Sequence, residues 1–140
     1  MDIEFKIKIK LRIDWADLDL FGHVNNVAFF KYAQASRLAY CEALGLTSTM
    51  EAGKLSFVVA SSQCQFKIPL YYPGDIEVQT RLDWIKNTSF QLRHRIINQQ
   101  EQVAAETSDV LVLYDYAKKV KTRITTNLKL KMENMEGRNL

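Results

Sequence analysis

Between Asn26 and Leu44 the chain holds neither glycine nor proline, and Gly45 follows at once. An unbroken run of that length makes about five helical turns, and a glycine just past its end is the usual stop signal. Placed on a helix, Lys31, Gln34, Arg37 and Glu42 fall within an arc of roughly 140°. Val27, Phe29, Phe30, Ala33, Leu38, Ala39 and Tyr40 share the wider remainder. A helix so apolar around its circumference has to be mostly wrapped by other structure, and the rest of the chain must supply the wrapping.

The remainder is strand-like. From Ile3 to Trp15 the odd positions are Ile3, Phe5, Ile7, Ile9, Leu11, Ile13 and Trp15, while Lys6, Lys8, Lys10 and Arg12 alternate with them, the pattern of a half-buried strand. A loop from Ala16 to Val24 leads into the helix. After it, strands are expected over Leu55 to Ile68, Ile76 to Ile85, Ser89 to Ile97, Val103 to Tyr116 and Val120 to Thr125. Turn signals stand at Pro73-Gly74-Asp75, Lys86-Asn87-Thr88 and Asn98 to Gln102, and such short links imply antiparallel neighbours. One strand, one long helix and about five more strands give an α+β domain over residues 1–125, with one sheet curled around one helix. Residues 126–140 form a polar, Asn-rich C-terminal tail, expected to fray or to make a loose helix.

Composition excludes the more specialised classes. Hydrophobic residues make up 47% of the 140 and charged residues 25%, the balance of an ordinary globular domain. The N-terminus has no apolar core of a signal peptide, and no apolar run is long enough to span a membrane, so a cytoplasmic location is expected. The two cysteines, Cys41 and Cys64, form no Cys-x-x-Cys and stand with only two histidines, which gives neither a zinc site nor a disulfide framework. No dinucleotide glycine fingerprint is present either, so the chemistry should need neither metal nor cofactor. A net charge of +3 favours anionic ligands such as coenzyme A but is too small to imply nucleic acid. The cations at Lys6 to Arg12 read as a solvated strand face, with an acidic partner such as a carrier protein as the other option.

The segment Asp17-Leu18-Asp19-Leu20-Phe21-Gly22-His23-Val24-Asn25-Asn26 packs two carboxylates, a glycine, an imidazole and two asparagines between the first strand and the helix. Backbone N–H groups at a helix start lack internal acceptors and carry partial positive charge, so they can polarise a carbonyl and hold a developing oxyanion. A carboxylate beside them can activate water or attack the same carbonyl. Gly22 would permit close approach of a substrate. Each residue taken singly also has a structural use, as a turn or cap former or, for His23, as a loop hydrogen-bonding group.

The stretch from Arg12 through about Leu46, RIDWADLDLFGHVNNVAFFKYAQASRLAYCEALGL, resembles the N-terminal signature of hotdog-fold acyl-CoA thioesterases of the 4-hydroxybenzoyl-CoA thioesterase-like family. PLYYPGDIEVQTRLDWIKNTSFQLRHRI resembles the same family, in which a turn ending in Gly-Asp leads into two long strands with Ser or Thr between them. Together the two cover roughly residues 5 to 125. The resemblance implies the hotdog fold, a long central helix wrapped by a curled antiparallel sheet of about five to six strands. It implies hydrolysis of an acyl-CoA thioester, with an acyl carrier protein as the other thioester donor. Asp19 aligns with the catalytic carboxylate, as general base or nucleophile, the Asn26 N–H falls where the thioester carbonyl binds, and Asp17 is structural.

His23 and Asn25 look like the His-Val-Asn-Asn variant shared with long-chain acyl-CoA and plant acyl-carrier thioesterases, although those plant enzymes carry an extra Asn where this chain has Phe21. The resemblance puts His23 with the catalytic residues, puts Gly22, Val24 and Asn25 on the substrate side, and puts Ser89 near the pantetheine arm, from either subunit. It also implies a homodimer or homotetramer with each site built across the dimer. Two rivals stand beside this reading. One is a hydratase or dehydratase of the same fold, whose pattern has a proline that is missing near Asp19 to His23. The other is a non-catalytic acyl-CoA binding protein, since fold alone does not settle function.

Overall fold

The computed structural model describes residues 3–46 and 55–140. Strand β1 (Ile7–Arg12) and a 3₁₀ turn (Trp15–Asp17) lead to helix α1 (Asn26–Ala43). Strands β2 (Leu55–Phe66), β3 (Asp75–Ile85), β4 (Ser89–Ile97), β5 (Val103–Asp115) and the two-residue β6 (Val120–Lys121) follow, and helix α2 (Thr126–Glu136) closes the chain. The sheet is antiparallel in the order β1-β3-β4-β5-β2, with β6 beside β5 where β4 has ended. This is the hotdog arrangement, and no helix among the described residues is long and apolar enough to cross a membrane.

Alternation along the strands decides the layers. Val78, Leu82, Leu92, Ile96, Leu111 and Leu113 point to one face and are fully buried under α1. Gln79, Arg81, Arg93 and Arg95 alternate with them on the other face. The core lies in two apolar clusters. One joins Ala28, Phe29 and Tyr32 of the first helical turns to Ile13, Val24 and Leu70. The other joins Tyr40, Cys41 and Leu44 to Phe90, Leu111 and Leu113. Gly45 terminates the helix in the left-handed conformation, φ +75°, while Leu46 N–H bonds back to the Cys41 carbonyl.

Four expectations need correction. First, α1 is not mostly wrapped: its buried face is Ala28, Phe29, Tyr32, Ala33, Ser36, Tyr40 and Cys41, while Val27 (68% exposed), Phe30 and Leu38 face outward. Second, Arg37 leaves the expected polar arc and turns inward, because Asp109 on β5 waits 3.1 Å from its guanidinium. Third, β1 stops at Arg12, where its partner β3 begins at Asp75; the Asp14 side chain then caps the 3₁₀ turn and Trp15 ends up 71% exposed. Likewise β6 is only Val120–Lys121, short of the strand expected to reach Thr125.

The tail also does more than fray. Thr125 caps α2 by accepting from Leu128 N–H, and Gly137 ends it at φ +68°. Leu128 and Met132 enter the second apolar cluster. Glu136 is buried and accepts a 2.9 Å hydrogen bond from the Tyr40 hydroxyl on α1. Burial raises the Glu136 pKa above the usual carboxylate value.

Candidate active site

The loop from Leu18 to Val24 is a closed miniature hairpin. Leu18 and Val24 form an antiparallel bridge, and Asp19 N–H donates to the His23 carbonyl at 2.7 Å. The Asp19 carboxylate fills the turn, its Oδ1 accepting from the N–H groups of Phe21 at 2.9 Å and His23 at 3.1 Å. Its Oδ2 has no partner among the described residues, so the loop fixes the carboxylate through one oxygen and leaves the other unbonded. Gly22 sits at φ +80°, which L side chains rarely adopt; a Cβ there would meet nothing within 4 Å. Within one chain, then, glycine is needed here for the backbone and not for close approach.

The helix start is built in the same economical way. Asn25 is the N-cap, its side-chain oxygen accepting from Val27 N–H at 3.0 Å, and its carbonyl takes Ala28 N–H at 2.9 Å. The Asn26 N–H is left at the tip without an acceptor among the described residues. Val24 is buried and its N–H bonds to the Leu70 carbonyl, which ties the loop to the segment after β2. His23 stands edge-on to Tyr71 with ring centroids 5.1 Å apart. Asp17 faces the helix instead, holding Lys31 Nζ at 3.1 Å, and its carbonyl accepts from Asn25 N–H.

Asp19, Gly22, His23, Val24, Asn25 and Asn26 are therefore brought together. Ser89 is not. It begins β4 opposite Val112, at the Ile85 end of the sheet, whereas the Asp19 loop adjoins the Asp75 end. The length of β3 separates them by about 30 Å. Beside Ser89, Lys86, Arg123 and Lys129 line a concavity of about 740 Å³ with Asn87, Thr125 and Thr126, and among the described residues no carboxylate lies in its wall. No sequence signal marked it, because its cations come from residues far apart along the chain.

Two further groups escaped the sequence reading. Tyr32 is buried next to the site, and desolvation, with the Asp17 charge adding to it, pushes its hydroxyl up to about 12. Deeper in, one polar layer separates the two apolar clusters. His94 Nε2 lies 2.8 Å from Asp109 Oδ2 and its Nδ1 2.6 Å from Thr80, which touches Ser36 on α1. Ser62 on β2 donates to the other Asp109 oxygen at 2.8 Å. Burial works to raise the Asp109 pKa, but His94, Ser62 and Arg37 outweigh it and hold the carboxyl below its ordinary value. This hydroxyl–imidazole–carboxylate chain looks like a nucleophilic triad, yet Thr80 and His94 are fully buried and no substrate can reach them.

A curled antiparallel sheet around one long helix is the hotdog arrangement, here with a half-engaged carboxylate beside the helix start. The chain belongs to the thioesterase-like superfamily, whose family model matches residues 13–132. It is similar to YsmA of Bacillus subtilis (strain 168), 27% identical over 85 residues, 61% of this chain and 56% of that protein. The match thus spans little more than half of that relative's length. A solved thioesterase of Thermus thermophilus, complexed with coenzyme A and Zn, superposes with a TM-score of 0.84 at 22% identity, covering 96% of this chain and 97% of that one. The BH1999 gentisyl-coenzyme A thioesterase superposes with a TM-score of 0.78 at 25% identity, covering 89% and 98%.

Proposed function

We propose that the protein hydrolyses acyl-CoA thioesters to free acid and CoA. Asp19 Oδ2 activates water or attacks the thioester carbon, and the Asn26 N–H at the tip of α1 holds the carbonyl oxygen as it gains charge. The observation that carries this reading is the Asp19 carboxylate with one oxygen anchored by two backbone N–H groups and the other free, beside a helix N-terminus. His23, packed on Tyr71, lines the approach together with Gly22, while Val24 lies buried behind them.

The sheet edges supply the second half of the argument. At one edge, β1 carries Lys8, Lys10 and Arg12, the protection expected of a strand that must stay unpaired. At the other, the 12 residues of β2 contain no charge and no proline. Such an edge invites a second copy, and antiparallel pairing of β2 with β2 would lay the Leu55 end of one copy beside the Phe66 end of the other. In one chain Ser89 and the cationic concavity lie at the Leu55 end, while the Asp19 loop lies at the Phe66 end, tied to Leu70. Pairing closes the gap of about 30 Å across subunits, so that Lys86, Arg123 and Lys129 of a second copy meet the CoA phosphates and its Ser89 the pantetheine arm. The working unit is a homodimer, alone or within a homotetramer.

Thiol release measured across an acyl-CoA panel tests the reaction. Subunit exchange tests the shared site: mixing Asp19→Asn with Lys86→Ala/Arg123→Ala should restore about a quarter of the wild-type sites, since half the dimers are mixed and each of those has one intact site. Two inactive homodimers that stay inactive after proven exchange would sink the composite site.

A further inference from the structure

Charge is spread unevenly along the chain. From Tyr116 to Met132 stand six of its 19 cations, Lys118, Lys119, Lys121, Arg123, Lys129 and Lys131, and none of its 16 carboxylates. The other residues hold thirteen cations against sixteen carboxylates, so a segment of +6 belongs to a chain whose remainder is −3. All six are exposed, and none is ion-paired among the described residues. The fold gathers them. β6 pairs with the last residues of β5, Thr122 N–H bonds to the Leu113 carbonyl and Ile124 N–H to the Asn87 carbonyl, while Arg123 and Lys129 share the wall of the concavity beside Ser89. The segment therefore covers one end of the sheet, where β3 stops and β4 begins. Two apolar side chains stand among these cations and outside both core clusters. In Lys119-Val120-Lys121, where the hairpin turns back with Lys119 at φ +56°, Val120 is 49% exposed. In Lys129-Leu130-Lys131 on α2, Leu130 is 51% exposed. It lies about 200° around the helix from both Leu128 and Met132, the pair that docks α2.

We propose that this end of the molecule docks on an anionic lipid bilayer, drawn there by the lysines and seated by Val120 and Leu130 at headgroup depth. The inference does not depend on the hydrolase reading. The contact is peripheral, since no helix among the described residues is long and apolar enough to cross. Clusters of roughly four to eight cations are attracted by the negative surface potential of such a bilayer, and aliphatic side chains set among them bury at the boundary between headgroups and acyl chains. The charge asymmetry turns the basic end toward that surface and the acidic remainder away from it. Nucleic acid fits less well. Five of the six cations are lysines, point charges without the planar fork with which arginine grips a phosphate. The segment's only aromatic ring, Tyr116, is already in edge contact with Tyr114 at 4.8 Å, and its hydroxyl is given to the Phe57 carbonyl, so it offers no ready stacking platform for a base.

Co-sedimentation with vesicles tests this, using phosphatidylcholine alone and phosphatidylcholine with about 30% phosphatidylglycerol. Wild type should sediment with the anionic vesicles only, and about 0.5 M salt, which screens charge within a few ångströms, should release it. Each cation near an anionic surface is worth roughly five-fold in partitioning, so Lys118→Gln/Lys121→Gln/Lys131→Gln should bind on the order of 10²-fold more weakly. Lys8→Gln/Lys10→Gln/Arg12→Gln removes the same charge from β1 and should stay within about three-fold of wild type. Val120→Ser/Leu130→Ser keeps every charge and should still lose about ten-fold, because the aliphatic seats are gone. All the substituted positions are exposed, none lines the concavity assigned to CoA, and the denaturation midpoint of each variant reports that it folds. Equal binding to neutral and anionic vesicles, binding to neither, or an equal loss in the two triple variants overturns the docking surface. Retention of a single-stranded RNA homopolymer that is lost in the Lys118, Lys121 and Lys131 variant, with no binding to vesicles, overturns it as well and gives this end to nucleic acid.

Discussion

Asp19 and Asp109 are both aspartates within reach of a histidine, and they are used in opposite ways. Asp109 is 1% exposed, and its two oxygens receive three side-chain donors from three different elements: Ser62 on β2, His94 on β4 and Arg37 on α1. Nothing of it is left over. Asp19 is half-exposed and spends one oxygen on two backbone donors from its own loop, leaving the other free. A saturated carboxylate holds elements together, because any new bond would break an existing one in a medium where lost bonds are costly. A carboxylate fixed at one oxygen and open at the other is positioned for a reaction without being consumed by the fold.

The largest effect expected from this contrast is on turnover. Asp19→Asn keeps the acceptor that closes the loop, so the fold should survive, but the amide accepts no proton and attacks no thioester. Losing a positioned base lowers the rate on the order of 10² to 10⁴, about 3 to 5.5 kcal/mol of barrier. The fall should appear in kcat far more than in KM, because Asn keeps the size and the loop-closing acceptor of Asp19 and so leaves the other contacts of a bound substrate in place. Steady-state kinetics with an unchanged denaturation midpoint is the expected result, and a near-normal kcat would break the contrast at its root.

Next comes stability at the other aspartate. Asp109→Asn leaves the largely buried Arg37 guanidinium without a counter-charge, and breaking such a pair typically costs about 3 to 5 kcal/mol. Urea denaturation should show a lowered midpoint at neutral pH. Since the folded pKa lies below the unfolded one, the stabilisation is present above the unfolded value and lost as pH falls through the folded one. The gap between wild type and variant should therefore narrow in acid. A gap that widened instead would mean that Asp109 is protonated in the folded protein.

How far the sequence carried this contrast depends on separation along the chain. The Asp19 loop, the Asn25 cap and the Gly45 stop are local, and each was legible because a turn or cap residue acts within a few positions of itself. The β1, β3 and β4 strands were legible from alternation. Arg37 was misplaced because the partner that turns it inward lies 72 positions away. Helical composition also could not tell an apolar side chain packed on the sheet, such as Phe29, from one facing outward, such as Val27. In the tail, Leu128 and Met132, four positions apart, are a weak pattern among polar neighbours, yet they are enough to dock α2.

A smaller effect separates Asp109 from the other buried carboxylate among the described residues, Glu136. Burial raises Glu136 from its ordinary 4.5, the opposite direction to Asp109. For a raised carboxyl the folded state binds the proton more tightly, so its contribution is full below the unfolded pKa and lost as pH rises through the folded pKa. Glu136→Gln, which has no proton to lose, should gain on wild type across that rise. Chemical denaturation at several pH values reads the difference directly, and a variant-to-wild-type gap independent of pH would remove the raised pKa.

The smallest change is expected at Asp17, two residues from Asp19 in sequence. Its carboxylate pairs with Lys31, whose side chain is 59% exposed, and lies near the Tyr32 hydroxyl; an ion pair so wet is worth less than about 1 kcal/mol. The bond that does matter for the loop, Asn25 N–H to the Asp17 carbonyl, is made by backbone and survives any substitution. Asp17→Asn should therefore keep most of the turnover, with a midpoint shifted by no more than the ion pair is worth. Lys31→Met should behave alike, and the double variant should add little beyond either, because both remove the same pair. If Asp17→Asn instead lost turnover by two orders of magnitude while Asp19→Asn retained it, the base would be Asp17. Its contact with Lys31, and the Tyr32 hydroxyl it helps to raise, would then belong to the chemistry and not to the scaffold.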